Sequence, residues 1–372
     1  MSDRDFDFIV IGAGIAGASV AAALAPHGRV IVLEREAQAG LHTTGRSAAM
    51  FMESYGPAQV RALARASRRH FESTPGWLTT RGALFIGRAE QREVVDALQA
   101  QLVADGAAVQ RLGSAAALAR VPLLRPEAAL HTLLDDAACD IDVNAVHQHF
   151  LESVRDLGSS LRFSVQLMRL AREGKRWSAE AADGACWRAP VLVNAAGAWV
   201  DEVARLAGVK PIGIEPRRRS AFTFAPPAGA DVRGWPCVCG IDEDFYFKPD
   251  AGVLLGSPAN ADPVPPHDVV AEELDIATGI ARIEAATTIA IRRPLRTWAG
   301  LRSFVADGAL VGGFDDAAPG FFWCCGQGGY GIQTSPAMGA ACAARIVGQA
   351  LPPRIADQGL SFDDLRCRRP SL

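Results

Sequence analysis

The run Ile9-Val10-Ile11-Gly12-Ala13-Gly14-Ile15-Ala16-Gly17-Ala18 constrains the fold more than any other stretch of this chain. A GxGxxG pattern alone is common, but here it follows an apolar strand from Phe6 to Ile11 and opens an Ala-rich helix from Ile15 to Ala25. It then meets a second strand, Val30-Ile-Val-Leu-Glu34. That order of strand, glycine turn and helix answers the physical demands of holding a dinucleotide. Gly12 permits the tight turn, Gly14 lets backbone approach a pyrophosphate, and Gly17 lets helix and strand pack closely. The helix N-terminus adds oriented N–H groups, and Glu34 is placed to accept both ribose hydroxyls.

Composition narrows the classes that remain. A chain of 372 residues, 49% of them hydrophobic, exceeds the size at which one core stops growing, so two connected domains are expected. The net charge of −3, with basic residues scattered except at Arg217-Arg218-Arg219, leaves no electrostatic footprint for nucleic acid. No apolar run reaches the length of a membrane span, and the acidic start Met1-Ser-Asp-Arg-Asp-Phe-Asp7 is unlike a secretory signal. The expected location is cytoplasmic, or peripheral at an inner membrane. The eight cysteines lack CxxC spacing, and Cys324-Cys325 in an apolar strand read as buried thiols. The histidines form no ligand pair, so neither a metal centre nor a disulfide framework is expected.

Gln38 to Ala49 is too polar for core and, lying directly after Glu34, reads as a loop that wraps the ligand. A strand is expected from Leu78 to Ile86, charged helical scaffold over 90–120, and a helix capped within Asp140–Asn144. Strands at 161–170 and 176–180 then form a meander. Val191 to Trp199 is an apolar strand ending in small residues, before a helix capped near Asp201, the pattern of a parallel strand arriving at the ligand. Gly320 to Thr334 repeats the strand, glycine turn and helix grammar, and aims a second helix N-terminus at something anionic or electron-rich. One large cofactor held at both ends explains both turns.

Glu34-Arg35, Thr43-Thr-Gly-Arg-Ser-Ala-Ala49, Asn194-Ala-Ala-Gly-Ala-Trp199, Arg217-Arg-Arg-Ser-Ala-Phe222, Phe245-Tyr246, Leu255 to Asp262, Trp298 to Phe304 and Gly326 to Thr334 follow the first turn in order. In these motifs the chain resembles the D-amino-acid oxidase superfamily of flavoproteins, and specifically the bacterial FAD-dependent D-arginine dehydrogenase type, over nearly its whole length. The resemblance implies an α/β fold: a Rossmann-like FAD-binding domain (1–78, 140–212 and 300–372) with a discontinuous antiparallel-sheet substrate domain (79–139 and 213–299). It implies noncovalent FAD held by Gly12, Gly14, Ile15, Ala16, Gly17, Glu34, Arg35, Thr43, Thr44, Gly45, Arg46, Ser47, Ala48, Ala49, Met50 and Gln166, then by Ala196, Gly197, Gly328, Gly329, Tyr330, Gly331, Ile332, Gln333 and Thr334. By the same resemblance Arg219 and Arg302 would grip a substrate carboxylate and Tyr246 and Tyr55 would add hydroxyl hydrogen bonds. The Gly329 carbonyl would meet the amine, and the helix beginning near Gly329 to Gly331 would favour negative charge on the flavin. Hydride transfer from Cα to flavin N5 would give an imino acid, which water hydrolyses to a keto acid and ammonia.

The residues themselves agree with the substrate groups. Period-2 alternation puts Arg217, Arg219 and Ala221 on one strand face and Arg218, Ser220 and Phe222 on the other, with Arg217 and Arg218 read as solvated. The same alternation sets Tyr246 opposite its flanking phenylalanines. Arg302 lies in an apolar stretch, where an unpaired guanidinium is costly and a carboxylate partner is expected. The D-arginine type has a histidine, a threonine and a glutamate where this chain has Met50, Met52 and Ala83, so the anchor for a cationic side chain is missing. Cys237 and Cys239 add to an apolar pocket, which implies neutral or apolar D-amino acids. Arg81 offers a rival, an acidic substrate, although a solvent-facing side chain is the ordinary reading there. Three functions stay open: a D-amino-acid dehydrogenase passing electrons to a quinone-type acceptor, an O2-using oxidase of glycine, sarcosine or D-amino acids, and a noncatalytic flavin-binding subunit. Arg219, Tyr246 and Arg302 argue against the last, and Lys248, a candidate for the lysine that marks oxygen-using relatives, can point either way.

Overall fold

The computed structural model describes residues 5–369 and 371. Its first sheet has six strands in the order Val311–Phe314, Phe321–Cys325, Val191–Asn194, Phe8–Ile11, Val30–Leu33, Ser160–Arg162. All neighbours are parallel except Val311–Phe314 against Phe321–Cys325. Phe8–Ile11 and Val30–Leu33 are buried throughout, as strands covered on both faces must be. On one face lie helices Ile15–Leu24, Ala58–Glu72 and Gly331–Ile346, sharing a core with Val10, Val32 and Phe322. On the other lie the helix Val200–Leu206 and a meander of Leu167–Glu173, Arg176–Ala181 and Cys186–Ala189.

Two long helices cross closely because small residues meet: a Cβ on Gly339 would stand 2.7 Å from the Ser19 carbonyl oxygen. Pro336 inside the second of these helices removes an N–H from the Ile332 carbonyl. Ser335 Oγ donates to that carbonyl at 2.8 Å, and the Ala337 N–H turns to Ser67 Oγ at 3.1 Å. The proline is thus accommodated without an orphaned acceptor.

A nine-stranded sheet is built from 83–135 and 215–304. Its strands are antiparallel except Cys237–Gly240 beside Ala83–Gly87. Phe222, Phe224, Phe247 and Leu254 point to one core, shared with Ile276 and Ile283 of helix Glu273–Ala286. Arg219, Ala221 and Tyr246 occupy the opposite face, toward the first sheet. A small sheet of Met50–Phe51, Cys139–Ile141 and Leu78–Thr80 lies between.

Several expectations shift. The single strand expected from Leu78 to Ile86 is broken at Gly82, whose φ of +76° turns the chain between two sheets. The stretch 161–170 splits between the parallel sheet and the meander, and the scaffold over 90–120 contains an unforeseen strand, Gln110–Leu112. Asp142 caps its helix as expected, accepting the Ala145 N–H at 2.9 Å. Asp201 caps nothing and instead accepts the N–H groups of Ile212, Gly213 and Ile214. The boundary expected at 300 falls inside the strand Arg296–Phe304, which pairs with Glu215–Phe224 along its full length.

Candidate active site

The turns after Phe8–Ile11, Val30–Leu33, Val191–Asn194 and Phe321–Cys325 open together at the carboxyl ends of the parallel strands, where a ligand crevice is expected. There a cavity of about 400 Å³ runs between the two sheets, walled by Glu34 and Gln166 as well as by Arg219, Tyr246 and Arg302.

Glycine geometry builds the first end. Gly12 has φ +99°, and a Cβ there would lie 2.6 Å from the Ala195 carbonyl oxygen. A Cβ on Gly17 would overlap the Gly12 carbonyl oxygen, so Gly17 acts through packing behind the wall. Thr44 Oγ1 accepts the Ile15 N–H at 3.0 Å, which caps helix Ile15–Leu24 from a distant loop. Glu34 accepts N–H groups from Ala13 at 2.7 Å and Glu36 at 2.9 Å, fixing its carboxylate at the strand end. His147 Nε2 lies 2.9 Å from the Ala13 carbonyl oxygen, and burial holds its imidazole below the ordinary value, as a neutral donor. Trp199, whose role the sequence did not reveal, lies beneath the Arg35 guanidinium at 4.5 Å and 4.8 Å from the His42 ring.

The loop Thr43–Ala48 joins the two sheets. Thr43 Oγ1 donates to the Leu301 carbonyl at 2.7 Å, Arg46 to those of Val269 and Ala299, and Trp298 Nε1 to the Arg46 carbonyl at 3.1 Å. Thus Thr43, Thr44, Arg46, Ser47 and Ala48 join Gly12, Gly14, Ile15, Ala16, Arg35, Ala196, Gly197, Gly328, Gly329, Gly331 and Ile332 on the cavity wall. The remaining expected cofactor residues, Gly45, Ala49, Met50, Tyr330, Gln333 and Thr334, stand behind it. Gly45 bonds Gly40, Met50 pairs with Asp140, and Thr334 Oγ1 donates to the Tyr330 carbonyl. Gln333 accepts the Met52 N–H at 2.9 Å, while its buried Nε2 has no protein partner.

Side chains build the second end. Arg219 donates through Nε to the Asn260 carbonyl at 2.6 Å, and Arg302 through Nη1 to the Tyr55 hydroxyl at 3.2 Å. Neither has a carboxylate partner among the described residues. Burial, and then the like charge of Arg302, hold the Arg219 guanidinium below its ordinary value. Gly329 lies flat on Arg302; a Cβ there would meet the guanidinium at 2.7 Å. Tyr55 does not itself wall the cavity; it packs edge-on to Tyr330 with centroids 5.3 Å apart. Met50, Tyr55 and Cys239 pack on an apolar cluster of Met52, Ala83 and Phe85.

Other cations nearby are neutralised. Arg218, expected to be solvated, is 8% exposed and engages Asp275, Glu272 and Asp262, because its strand face turns to helix Glu273–Ala286. Arg217 pairs with Glu215 over the Phe304 ring. Arg81, read as solvent-facing, and the buried Lys248 both bind Asp140, each at 2.7 Å. Lys248 therefore presents no free ammonium. Cys237 and Cys239, with sulfurs 3.8 Å apart, and the fully buried Ala83 lie beside the cavity rather than on its wall.

A model of the FAD dependent oxidoreductase family, DAO, matches residues 7–345, and the chain belongs to that family. A bifunctional tRNA 5-methylaminomethyl-2-thiouridine biosynthesis protein of Burkholderia vietnamiensis is 27% identical over 285 residues, 70% of this chain and 40% of that protein. The chain thus spans well under two thirds of that relative. L-proline dehydrogenase of P. horikoshii superposes with a TM-score of 0.82 at 20% identity, covering 96% of this chain and 99% of the other. Glycine oxidase of Geobacillus kaustophilus gives 0.80 at 18% identity, over 93% and 95%. The FAD on which the family depends fits this wall: bare glycine backbone, two helix N-termini and a fixed carboxylate are the groups that would hold its phosphates and ribose.

Proposed function

We propose that this flavoprotein oxidises the Cα–N bond of a neutral D-amino acid. The observation that carries the reading is the pair of guanidiniums, Arg219 and Arg302, facing one cavity with no carboxylate among the described residues to neutralise either. Two half-buried like charges facing one cavity cost free energy until an anion joins them, and planar forks suit a carboxylate. Tyr246 stands on the same wall, and the Tyr55 hydroxyl, just behind it, accepts from Arg302 and keeps its own proton for a substrate oxygen that reaches past the guanidinium.

Bound FAD supplies the acceptor for the hydride that leaves Cα. The substrate nitrogen gives up a proton to solvent, so two electrons and two protons leave the amino acid; water then hydrolyses the imino acid to a keto acid and ammonia. The carboxylates and imidazole on the wall, Glu34, Glu36, Glu202 and His42, belong to the dinucleotide end, so no protein base is assigned. Arg219 and Arg302 fix the carboxylate, and the Gly329 carbonyl orients the amine. The first turn of helix Gly331–Ile346 adds positive potential. A neutral side chain is favoured because Arg81 and Lys248 are already engaged by Asp140 and the ground beside the clamp is Met50, Met52 and Cys239. D-configuration and a quinone-type acceptor follow the resemblance to D-arginine dehydrogenases, and the engaged Lys248 favours a dehydrogenase over an oxidase.

The test is anaerobic bleaching of bound FAD by neutral D-amino acids, their L-enantiomers, D-arginine, glycine and sarcosine, followed by air. Fast bleaching by neutral D-amino acids with slow reoxidation is expected. D-arginine as best substrate would overturn the pocket reading, rapid reoxidation the dehydrogenase, and no bleaching the catalytic role.

A further inference from the structure

The residues on either side of Tyr55 are held by groups that the clamp itself does not use. Ser54 and Asp135 are 5% and 4% exposed, and Ser54 Oγ donates to Asp135 Oδ2 at 2.6 Å. Asp135 ends the strand His131–Asp135, opposite Ala83 in the substrate-side sheet, and its Oδ1 accepts the Ala137 N–H at 3.0 Å. Glu53 accepts Arg68 Nε at 2.6 Å, and the same guanidinium donates to the Ala137 carbonyl at 3.1 Å. Both residues before Tyr55 are therefore tied to one turn, 135–137. After Tyr55 comes Gly56, with φ +90° and room only for hydrogen beside the Tyr330 ring. Nothing else hydrogen-bonds the Tyr55 hydroxyl among the described residues except Arg302.

Burying a carboxyl costs free energy that its hydrogen bonds must offset, and those of Asp135 run to Ser54 and to the Ala137 N–H. Here the geometry points to positioning. We propose that Asp135, through Ser54, fixes the Tyr55 hydroxyl beside Arg302 and so completes the grip on a substrate carboxylate. Asp135 is thus a positioning residue reaching the site from the far side of the Tyr55 loop. This inference rests on the reading of Arg219 and Arg302 as a carboxylate clamp.

The experiment titrates benzoate, a carboxylate without an amine, into FAD-loaded wild type and variants, and follows the flavin absorbance. Ser54→Ala is expected to raise the benzoate Kd about tenfold, the scale of one lost ordering hydrogen bond, with FAD content unchanged. Asp135→Asn can keep its amide oxygen on the Ala137 N–H and donate through its amide nitrogen to Ser54 Oγ, so the link to Ser54 persists and binding is expected to stay within about threefold of wild type. In a Tyr55→Phe background Ser54→Ala is expected to add nothing, since it acts only through the phenol. Unchanged benzoate binding in Ser54→Ala, or effects of Ser54→Ala and Tyr55→Phe that multiply, would overturn the positioning role while leaving the clamp intact. Wild type that fails to bind benzoate would remove the clamp and this inference together. If Ser54→Ala yields no holoenzyme, Asp135→Ala against Asp135→Asn makes the same comparison: weakened binding in the first alone supports the role, and equal binding in both overturns it.

Discussion

At the Glu34 end of the cavity the wall is largely backbone, with Gly12 on it and Gly17 behind it packed so tightly that a single methyl has no room. At the Arg302 end it is side chains, with Arg219, Tyr246 and Arg302 projecting from a sheet whose other face carries the hydrophobic core. The contrast is between a binding surface specified by local chain geometry and one assembled from strands distant in sequence. A dinucleotide is the same in every enzyme that uses it, so a fixed backbone mould suffices. A substrate site has to be retuned residue by residue, and side chains on a stable sheet allow that without disturbing the fold.

The same one-methyl change at the two ends gives the largest expected contrast. Gly17→Ala forces a Cβ into the Gly12 carbonyl and is expected to give protein with less than about a tenth of its normal FAD content, measured from the visible spectrum after purification. Gly329→Ala presses on a guanidinium that can move, so FAD content is expected to stay normal while amino-acid oxidation falls. Equal loss of FAD in both variants would erase the distinction. Next, Arg302→Met is expected to lower kcat/KM by about 10³-fold, read by steady-state assay with an artificial electron acceptor, without loss of FAD.

How far each end was legible follows from that contrast. Gly12, Gly14, Gly17 and Glu34 lie within one stretch of chain, each required by a stated geometric need, and they could be read directly. Period-2 alternation likewise separated Arg219 from Arg218. It could not show that Arg218 turns to Asp275 rather than to water, because that depends on where helix Glu273–Ala286 packs. Lys248 and Arg81 were undecidable for the same reason: Asp140, their shared partner, arrives from a third sheet. Gly82 ended a strand that apolar content alone would have continued. Ser54 and Asp135 carry no local signal, since a serine before a tyrosine and an aspartate at a strand end are ordinary.

Smaller effects sharpen the comparison. Glu34→Gln is expected to weaken FAD binding about tenfold to a hundredfold, seen by FAD titration of the apoprotein, with kcat restored at saturating FAD. A change in kcat at saturation would couple the two ends. The smallest effect lies outside both. Burial, with His149 and Arg354 nearby, lowers the half-buried His70 to about 4. Its folded value lies below the unfolded one, so the fold favours the neutral ring. That stability is complete above the unfolded value and drains as pH falls from about 6.5 toward about 4, by about 1 kcal/mol after allowance for partial exposure. Thermal melts of wild type and His70→Phe over that range are expected to differ in slope, with amino-acid binding unaltered in the variant.

The most direct test of the account compares anaerobic reduction of bound FAD by D-norvaline and by butylamine, its counterpart without the carboxylate. If Arg219 and Arg302 organise the reaction by gripping that group, D-norvaline bleaches the flavin and butylamine does so at least about 10³-fold more slowly, the scale of a lost charged anchor. Comparable rates for the two would contradict the clamp and with it the assignment of an amino acid as substrate.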